Sequence, residues 1–214
     1  MKILALSDKT IDFIYSPTVG ERFTDIDWVI SCGDLPYYYV EYVLDALNVP
    51  TFFVRGNHAS VIEYSNRGNR TAPMGAVDLH TQVTNFRGVL MAGIEGSVRY
   101  RQGPFMYTQT DMWWTVISMI PRLLVNRLMY GRYLDLLITH APPWGIHDKD
   151  DIAHQGFKAI RWLLEVFKPK YHIHGHIHLY NNDPIRRTNF GETEVINIYG
   201  YRELDLDLPV KKPR

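Results

Sequence analysis

The sequence His174-Gly175-His176-Ile177-His178 places three histidines within five residues, directly after the apolar run Tyr171-His172-Ile173. Four other short runs of strand-like composition are also followed by Asp, Asn or His. Those runs are Ile3-Leu4-Ala5-Leu6, Trp28-Val29-Ile30, Thr51-Phe52-Phe53-Val54 and Leu136-Leu137-Ile138, and the polar residues after them are Asp8, Asp34, Asn57, His58 and His140. Because the carboxyl ends of strands in an open α/β sheet share one edge, we expect these side chains to converge on a single cleft. Such a set of carboxylates and imidazoles predicts a site for two metal ions.

Taken in order, the fragments resemble the signature of the calcineurin-like metallophosphoesterase family, which runs D-x-H, G-D, G-N-H-D/E, H and G-H-x-H. The resemblance spans residues 8 to 178, which is most of the chain. It implies an α/β fold of two packed mixed β-sheets flanked by helices, an αββα sandwich. It also implies two metal ions, for which Mn, Fe and Zn are the candidates. The implied reaction is hydrolysis of phosphate mono- or diesters by a metal-bound hydroxide that attacks phosphorus in line.

The resemblance also assigns a role to each polar residue. Asp34 resembles the carboxylate that bridges the two metals. The other ligands of the second metal correspond to Asn57, His140 and His176, and ligands of the first metal correspond to Asp8 and His178. His58 resembles a histidine that binds no metal and protonates the leaving oxygen or stabilises charge in the transition state. An alternative for His58 is a hydrogen bond to one of the ligands.

The first motif departs from the family pattern, because Asp8-Lys9-Thr10 lacks the usual histidine ligand of the first metal. Three explanations are open: the first site is weak or empty, Lys9 supplies charge instead, or another residue replaces the ligand. Tyr37 is the candidate replacement, since Gly33-Asp34-Leu35-Pro36-Tyr37 resembles the G-D-x-x-Y motif of the purple acid phosphatase branch. In that branch the tyrosine binds iron(III). The alternative is that Tyr37 packs the start of a helix.

A second departure is Ala59, which follows Gly56-Asn57-His58 where the family has an acidic residue. Without that carboxylate, His58 is expected to be a weaker acid catalyst. The two departures also permit a different class of protein, a catalytically weakened metal-binding or scaffolding protein. Retention of the other ligands favours an enzyme, a metallophosphoesterase that acts as a phosphatase or phosphodiesterase.

The charge balance favours a small substrate. The chain contains 23 Lys and Arg against 23 Asp and Glu, so no strong positive field exists that would gather nucleic acid. We therefore expect a small-molecule phosphoester. A nuclease is the alternative, and a basic groove leading to His176 would favour it.

Length and composition favour one domain over residues 1–214, since 46% hydrophobic residues suffice for a sizeable core. The single cysteine, Cys32, excludes an intramolecular disulfide. The first residues lack the long apolar run of a signal peptide, and no apolar stretch is long enough to span a membrane. We therefore expect a cytoplasmic location.

Local patterns predict the remaining elements. They are a helix or helix plus turn over 11–23, a helix from Pro36 through Leu47, hairpin strands between 77 and 93, a helix over 154–167 and a strand over 194–199. Residues 105–130 carry apolar residues at helical spacing around Pro121, which predicts a helical insertion of one long kinked helix or two short ones. Covering the sheet is one role for this segment. The alternatives are a cap over the active site, a homodimer contact and a membrane-surface face.

Overall fold

A computed structural model describes residues 1–66, 68–179 and 187–209. The strands are β1 (Lys2–Ser7), β2 (Trp28–Ser31), β3 (Thr51–Phe53), β4 (Val77–Asp78), β5 (Val83–Phe86), β6 (Val89–Ile94), β7 (Ser97–Val98), β8 (Met106–Tyr107), β9 (Leu136–Thr139), β10 (Tyr171–His174), β11 (Arg187–Phe190), β12 (Thr193–Asn197) and β13 (Gly200–Asp205). The helices are α1 (Val19–Arg22), α2 (Tyr37–Leu47), α3 (Gln109–Tyr130) and α4 (Lys158–Phe167).

The strands form two large mixed sheets. The first has the order β13-β1-β2-β3-β4 and the second has the order β11-β12-β10-β9-β6-β5. The five strands predicted from the apolar runs are confirmed as β1, β2, β3, β9 and β10. Strands β1, β2 and β3 run parallel to one another in the first sheet, as do β6, β9, β10 and β12 in the second. The carboxyl ends of these parallel strands therefore share an edge within each sheet.

The core consists of three clusters of buried side chains. Trp28 and Phe52 from the first sheet and Met91 and Ile138 from the second belong to one buried cluster, which fills the space between the sheets. A second cluster packs α3 and α4 on the outer face of the second sheet, and a third packs α2 on the outer face of the first. The predicted αββα arrangement of two mixed sheets flanked by helices is confirmed.

Proline and left-handed residues set the bounds of the short helices. Helix α2 begins directly after Pro36, which suits a helix start, and ends where Asn48 takes the left-handed conformation at φ 50°. The prediction over 11–23 is a helix or a helix plus turn, and the structure has turns and bends over 12–18 followed by the four residues of α1. Pro17 limits the helix, because it lacks a backbone N–H and disfavours helical geometry at the preceding residue.

The segment between residues 77 and 93 contains the predicted hairpin. Strands β5 and β6 pair antiparallel, and the two turn residues between them, Arg87 and Gly88, both have positive φ. This is the turn geometry that matches the twist of paired strands. Strand β5 lies at a sheet edge as expected, whereas β6 also pairs with β9 and lies inside the sheet.

Residues 105–130 contain one continuous helix. Helix α3 spans 22 residues, starts with a capping box between Thr108 and Asp111, and ends at Gly131 with φ 74°. Pro121 lies inside the helix. The inward face buries Met112, Val116, Met119 and Leu123 against the second sheet, so this face covers the sheet. In the described ranges, no helix has the length and apolar character needed to cross a membrane.

Candidate metal centre

The predicted site residues follow the carboxyl ends of strands in both sheets. Asp8 follows β1, Asp34 follows β2 and Asn57 follows β3, whereas His140 follows β9 and His176 follows β10. Backbone hydrogen bonds tie the loops together within each sheet, from Asp8 N to Gly33 O at 3.1 Å and from Gly175 N to His140 O at 3.0 Å. The edges of the two sheets meet at this point, as the contacts below show.

Backbone geometry at the site is unusual in two respects. Asp8, Asp34 and His176 all have positive φ, at 63°, 55° and 67°, a conformation that costs free energy in residues with a side chain. The backbone at Gly175 also lies very close to neighbouring side chains. A Cβ atom there would clash with Ser7 Oγ and lie 2.7 Å from Asp8 Oδ2, so any larger residue would force these groups to move. Strained backbone conformations of this kind cluster at functional sites.

Asp34, His140 and His176 form the centre of the site. One ligand atom from each residue lies within 4.8 Å of the other two. His140 Nε2 lies 3.3 Å from Asp34 Oδ2 and 3.0 Å from Asn57 Oδ1, so Asn57 belongs to the same cluster. All four side chains are buried or nearly so. Carboxylate, amide and imidazole groups of this kind bind divalent transition metals.

The hydrogen bonds of the two histidines decide which nitrogen faces the centre. His140 Nδ1 lies 2.7 Å from the carbonyl oxygen of Cys32, and His176 Nε2 lies 2.7 Å from that of Ala153. Since a carbonyl oxygen accepts hydrogen bonds, both of these nitrogens carry a proton and donate. In the neutral rings the lone pair is therefore on His140 Nε2 and on His176 Nδ1, and these atoms are available for a metal.

Asp34 and His140 each stabilise the charged form of the other. Burial acts to raise the pKa of Asp34, but the His140 charge and hydrogen bond, with the His58 N–H, outweigh it and lower the pKa to about 2. Burial acts to lower the pKa of His140, but the Asp34 and Asp8 carboxylates outweigh it and raise the pKa to about 9. Without a metal, the pair is therefore a carboxylate beside an imidazolium, and a metal cation would take the place of the imidazolium proton.

His176 has the opposite protonation preference. Burial, reinforced by the positive charge of His140, lowers the pKa of His176 to about 4. The ring is therefore neutral near pH 7, which is the form that coordinates metals.

Asp8 shows a gap in hydrogen bonding that a cation would fill. Its Oδ2 accepts from His176 N at 2.9 Å, whereas its buried Oδ1 has no hydrogen-bond partner among the residues that the structure describes. His178 Nε2 lies 3.7 Å from this Oδ1, and the His178 ring lies 4.7 Å from the ring of Tyr199. A buried carboxylate oxygen without a partner is costly. Asp8 and His178 therefore fit a metal site beside the first cluster.

His58 lies at the wall of the cavity next to the centre. Its backbone N–H donates to Asp34 Oδ1 at 2.7 Å, which fixes the loop, and its side chain is exposed to the cavity. Ala59, at the position where the family has an acidic residue, also lines this cavity of about 210 Å³. The exposed imidazole of His58 can reach a molecule bound in the cavity.

Tyr37 makes contacts of a different kind from those of the cluster. Its hydroxyl donates to the Ser60 carbonyl oxygen at 2.6 Å, and its backbone N–H donates to Glu63 Oε2 at 2.6 Å. Burial raises the pKa of the Tyr37 hydroxyl, although the nearby Arg55 opposes this shift. These contacts favour a structural role for Tyr37 at the start of α2, and ligation by its phenolate stays a prediction.

Several supporting groups were not identified from the sequence. The carbonyl groups of Cys32 and Ala153 orient the two histidines, and the Tyr100 hydroxyl lies 3.5 Å from Asn57 Nδ2. Glu63 accepts from Tyr37 N and from Tyr38 N, at 2.6 and 3.1 Å, and so satisfies two free N–H groups of α2. Backbone carbonyls carry no sequence pattern, and Glu63 lies in a loop without a recognisable motif.

Comparison with known proteins agrees with this geometry. Two mixed sheets flanked by helices, with Asp, Asn and His residues gathered at the strand ends, define the class of metal-dependent phosphoesterases. The family model for calcineurin-like phosphoesterases matches residues 1–180, and the chain belongs to this family. The family depends on pairs of metal ions and hydrolyses phosphoesters. No curated protein matches the sequence significantly.

Solved structures show the same fold at low sequence identity. The protein TT1561 of Thermus thermophilus is similar with a TM-score of 0.60 and 16% identity, over 92% of this chain and 88% of that chain. Phosphopantetheinyl hydrolase (PptH) from Mycobacterium tuberculosis is similar with a TM-score of 0.56 and 16% identity, over 100% of this chain and 98% of that chain. At this level of identity the similarity concerns the fold.

Proposed function

We propose that this protein hydrolyses a small phosphate mono- or diester at a two-metal centre held by Asp8, Asp34, Asn57, His140, His176 and His178. The observation that carries the proposal is the approach of ligand atoms from Asp34, His140 and His176 to within 4.8 Å. The buried Oδ1 of Asp8, which accepts no hydrogen bond from the described residues and lies 3.7 Å from His178 Nε2, supports it. When bound, such metal ions polarise phosphoryl oxygens and lower the pKa of water. Membership of the family supports the same class of reaction.

Four residues at the proposed centre are assigned roles. Asp34 stays ionised, because its pKa is about 2, and is suited to hold positive charge between the two sites. His140 would have to lose its Nε2 proton to bind a metal, so loading would release protons near neutral pH. His176 is already neutral and loses no proton on loading. His58, exposed at the cavity wall, is assigned to protonate the leaving oxygen.

The cavity beside the centre supports a small substrate over nucleic acid. Its volume is about 210 Å³, and no Lys or Arg is among the described residues that line it. The nearby Arg55 is paired with the carboxylates of Asp78 and Glu95. A polyanion needs several uncompensated cations along its path. The lining instead contributes the carboxylate of Glu63, which repels a long phosphate chain.

The test is hydrolysis of phosphomonoesters, cyclic nucleotides, other diesters and a single-stranded oligonucleotide, each with added Mn²⁺, Fe²⁺ or Zn²⁺. We expect turnover of small esters and at least about a 100-fold loss in Asp34→Asn, which removes a ligand charge but keeps an acceptor for His58 N–H. Asp205→Asn is the matched control, because the Asp205 side chain is 88% exposed and distant in sequence from the motifs. Preferential cleavage of the oligonucleotide would establish a nuclease. No turnover of any ester would leave a metal-binding scaffold.

We also infer that the protein forms a homodimer through α3. The outward face of α3 carries Trp114, Ile117, Pro121, Leu124 and Leu128, at alternating spacings of three and four residues. Trp114 is 68% exposed and Leu128 is 84% exposed, and no charged residue interrupts this line. Alternation of three and four is the spacing that packs one helix along another. In a two-fold symmetric dimer the same face of both subunits forms the interface, so one exposed apolar face favours a second copy of the chain as its partner.

Sedimentation equilibrium of the wild type and of Leu128→Asp tests the dimer. We expect a dimer for the wild type and a monomer for the variant, because the new carboxylate would be desolvated in the interface. Met74→Asp is the control, since Met74 is 78% exposed and lies outside α3. A monomeric wild type would contradict the inference. Binding of that monomer to vesicles of anionic phospholipid would assign the face to a membrane surface.

A further inference from the structure

A surface of tyrosines lies beside the candidate metal centre. Tyr15, Tyr38 and Tyr64 are 50%, 44% and 75% exposed. The ring of Tyr15 lies 5.7 Å from that of Tyr38 and 4.5 Å from that of Tyr42, so the rings form a connected aromatic cluster. Large aromatic side chains are seldom left exposed together on a protein surface without a binding role.

The tyrosine surface adjoins the cavity of the centre. Tyr15, Tyr38 and Tyr64 line a second cavity, of about 410 Å³, together with Glu63 and Asn66. Glu63 also lines the cavity that contains Asp34 and His58, so the two cavities adjoin at this residue. The Glu63 carboxylate accepts from two backbone N–H groups of α2, which hold it in place between the cavities. A molecule with its phosphate at the centre can therefore extend past Glu63 to the tyrosines.

The chemistry of the second cavity points to a planar ring. Tyrosine faces bind flat aromatic rings by stacking, and they do so without regard to the hydrogen-bonding pattern of the ring. The amide of Asn66 adds both a donor and an acceptor, which suits ring nitrogens and exocyclic groups. Arg70, at the same cavity, donates from Nε to Glu41 Oε2 at 2.7 Å and from Nη1 to Ser65 Oγ at 2.9 Å, so the protein itself compensates part of its charge.

We propose that the organic group of the substrate carries a heteroaromatic ring, as in a nucleoside phosphate, and that this ring packs on Tyr15, Tyr38 and Tyr64. This inference rests on the proposed phosphoesterase function of the neighbouring centre. The tyrosines then set specificity: the metal centre accepts the phosphate, and the aromatic surface selects what is attached to it. Aliphatic phosphoesters would reach the same centre without this contribution.

Calorimetric titration of the protein with adenosine and with ribose tests the aromatic surface directly, because neither probe contains phosphate. We expect adenosine to bind at least roughly tenfold more tightly than ribose. Tyr38→Leu should weaken adenosine binding roughly tenfold and leave ribose unaffected. Tyr64→Leu serves as a second variant at the most exposed ring. Tyr130→Leu is the matched control, because Tyr130 is 43% exposed, almost the same as Tyr38, and lies at the end of α3.

Hydrolysis of adenosine 5′-monophosphate and of ribose 5-phosphate extends the test to turnover, since the two esters differ only in the base. We expect kcat/KM to favour the adenosine ester and this preference to shrink in Tyr38→Leu but not in Tyr130→Leu. Equal binding of adenosine and ribose would overturn the aromatic site even if both esters are hydrolysed. Adenosine binding that depends on Tyr38, with no hydrolysis of any ester, would keep the aromatic site and overturn the phosphoesterase function.

Discussion

The backbone N–H of His176 donates a hydrogen bond to Asp8 Oδ2 at 2.9 Å, although 168 residues separate the two positions. Asp8 follows β1 in one sheet, and His176 follows β10 in the other. This contact therefore joins the first and last motifs of the chain across the two sheets. The second oxygen of this carboxylate, Asp8 Oδ1, is buried beside the Asp34 cluster and has no hydrogen-bond partner in the described ranges.

Asp8→Asn should separate metal binding from stability. The asparagine keeps an acceptor for His176 N–H and removes a buried negative charge. In metal-free protein this removes the cost of burying the charge, but it also removes the attraction between Asp8 and the His140 imidazolium. Because the two effects oppose each other, we expect only a small change in the unfolding free energy. Metal content, measured by mass spectrometry of the elements, should fall. A large loss of stability in the metal-free variant would show that Oδ1 has a stabilising role without metal.

Gly175→Ala should destabilise the protein and weaken metal binding together. A Cβ at this position would clash with Ser7 Oγ and lie 2.7 Å from Asp8 Oδ2, so the loop or these two side chains must move. Overpacking of this kind costs about 1–3 kcal/mol, which urea unfolding would measure. Gly20→Ala is the control, because the nearest atom to its Cβ would be 3.5 Å away and Gly20 lies in α1. Equal effects of the two substitutions would argue against a tight fit at Gly175.

Tyr37→Phe tests the two roles of this tyrosine. The observed bond from its hydroxyl to the Ser60 carbonyl oxygen predicts a loss of about 1 kcal/mol in unfolding free energy and an unchanged metal content. The visible absorption of iron-loaded protein should also be the same in wild type and variant. A charge-transfer band present in the wild type and absent in the variant would instead establish Tyr37 as the ligand that replaces the missing histidine.

His172→Gln should make the metal-free protein more resistant to acid. Burial lowers the pKa of His172 from 6.5 to about 3 in the folded state, and the ring nitrogen Nε2 lies 2.8 Å from Thr139 Oγ1. Between pH 6.5 and 3 the unfolded chain binds a proton at His172 that the folded protein does not, so stability falls as the pH falls through this window. Glutamine keeps a donor for Thr139 but does not titrate.

Urea unfolding at pH 7 and at pH 4.5 measures this difference. Between pH 7 and pH 4.5, the unfolding free energy of the wild type should fall by about 2 to 3 kcal/mol more than that of His172→Gln. This size follows because pH 4.5 lies about two units below the pKa of the histidine in the unfolded chain. Above pH 6.5 neither state protonates His172, so both proteins should show the same dependence there. Equal losses between the two pH values would mean that His172 is not the neutral, buried group described.

Part of the site followed from the sequence because it depends on local patterns. The five apolar runs are strands, and the residues that follow them, from Asp8 to His176, meet at one place. Parallel strands force this convergence, since their carboxyl ends share an edge. Helix α2 and the β5–β6 hairpin were predictable for the same reason, because Pro36 and the turn at Arg87 and Gly88 act on their immediate neighbours.

Other features required the tertiary structure. The sequence named Tyr37 as a possible ligand, and only the fold shows its hydroxyl on the Ser60 carbonyl oxygen. The nitrogen that each histidine offers is set by the carbonyls of Cys32 and Ala153, which come from distant segments. The exposure of Leu128, and the meeting of Tyr15 with Tyr38, likewise depend on how elements pack. Local patterns determine where elements begin and end, whereas hydrogen-bond partners and exposure depend on long-range contacts that only the folded chain creates.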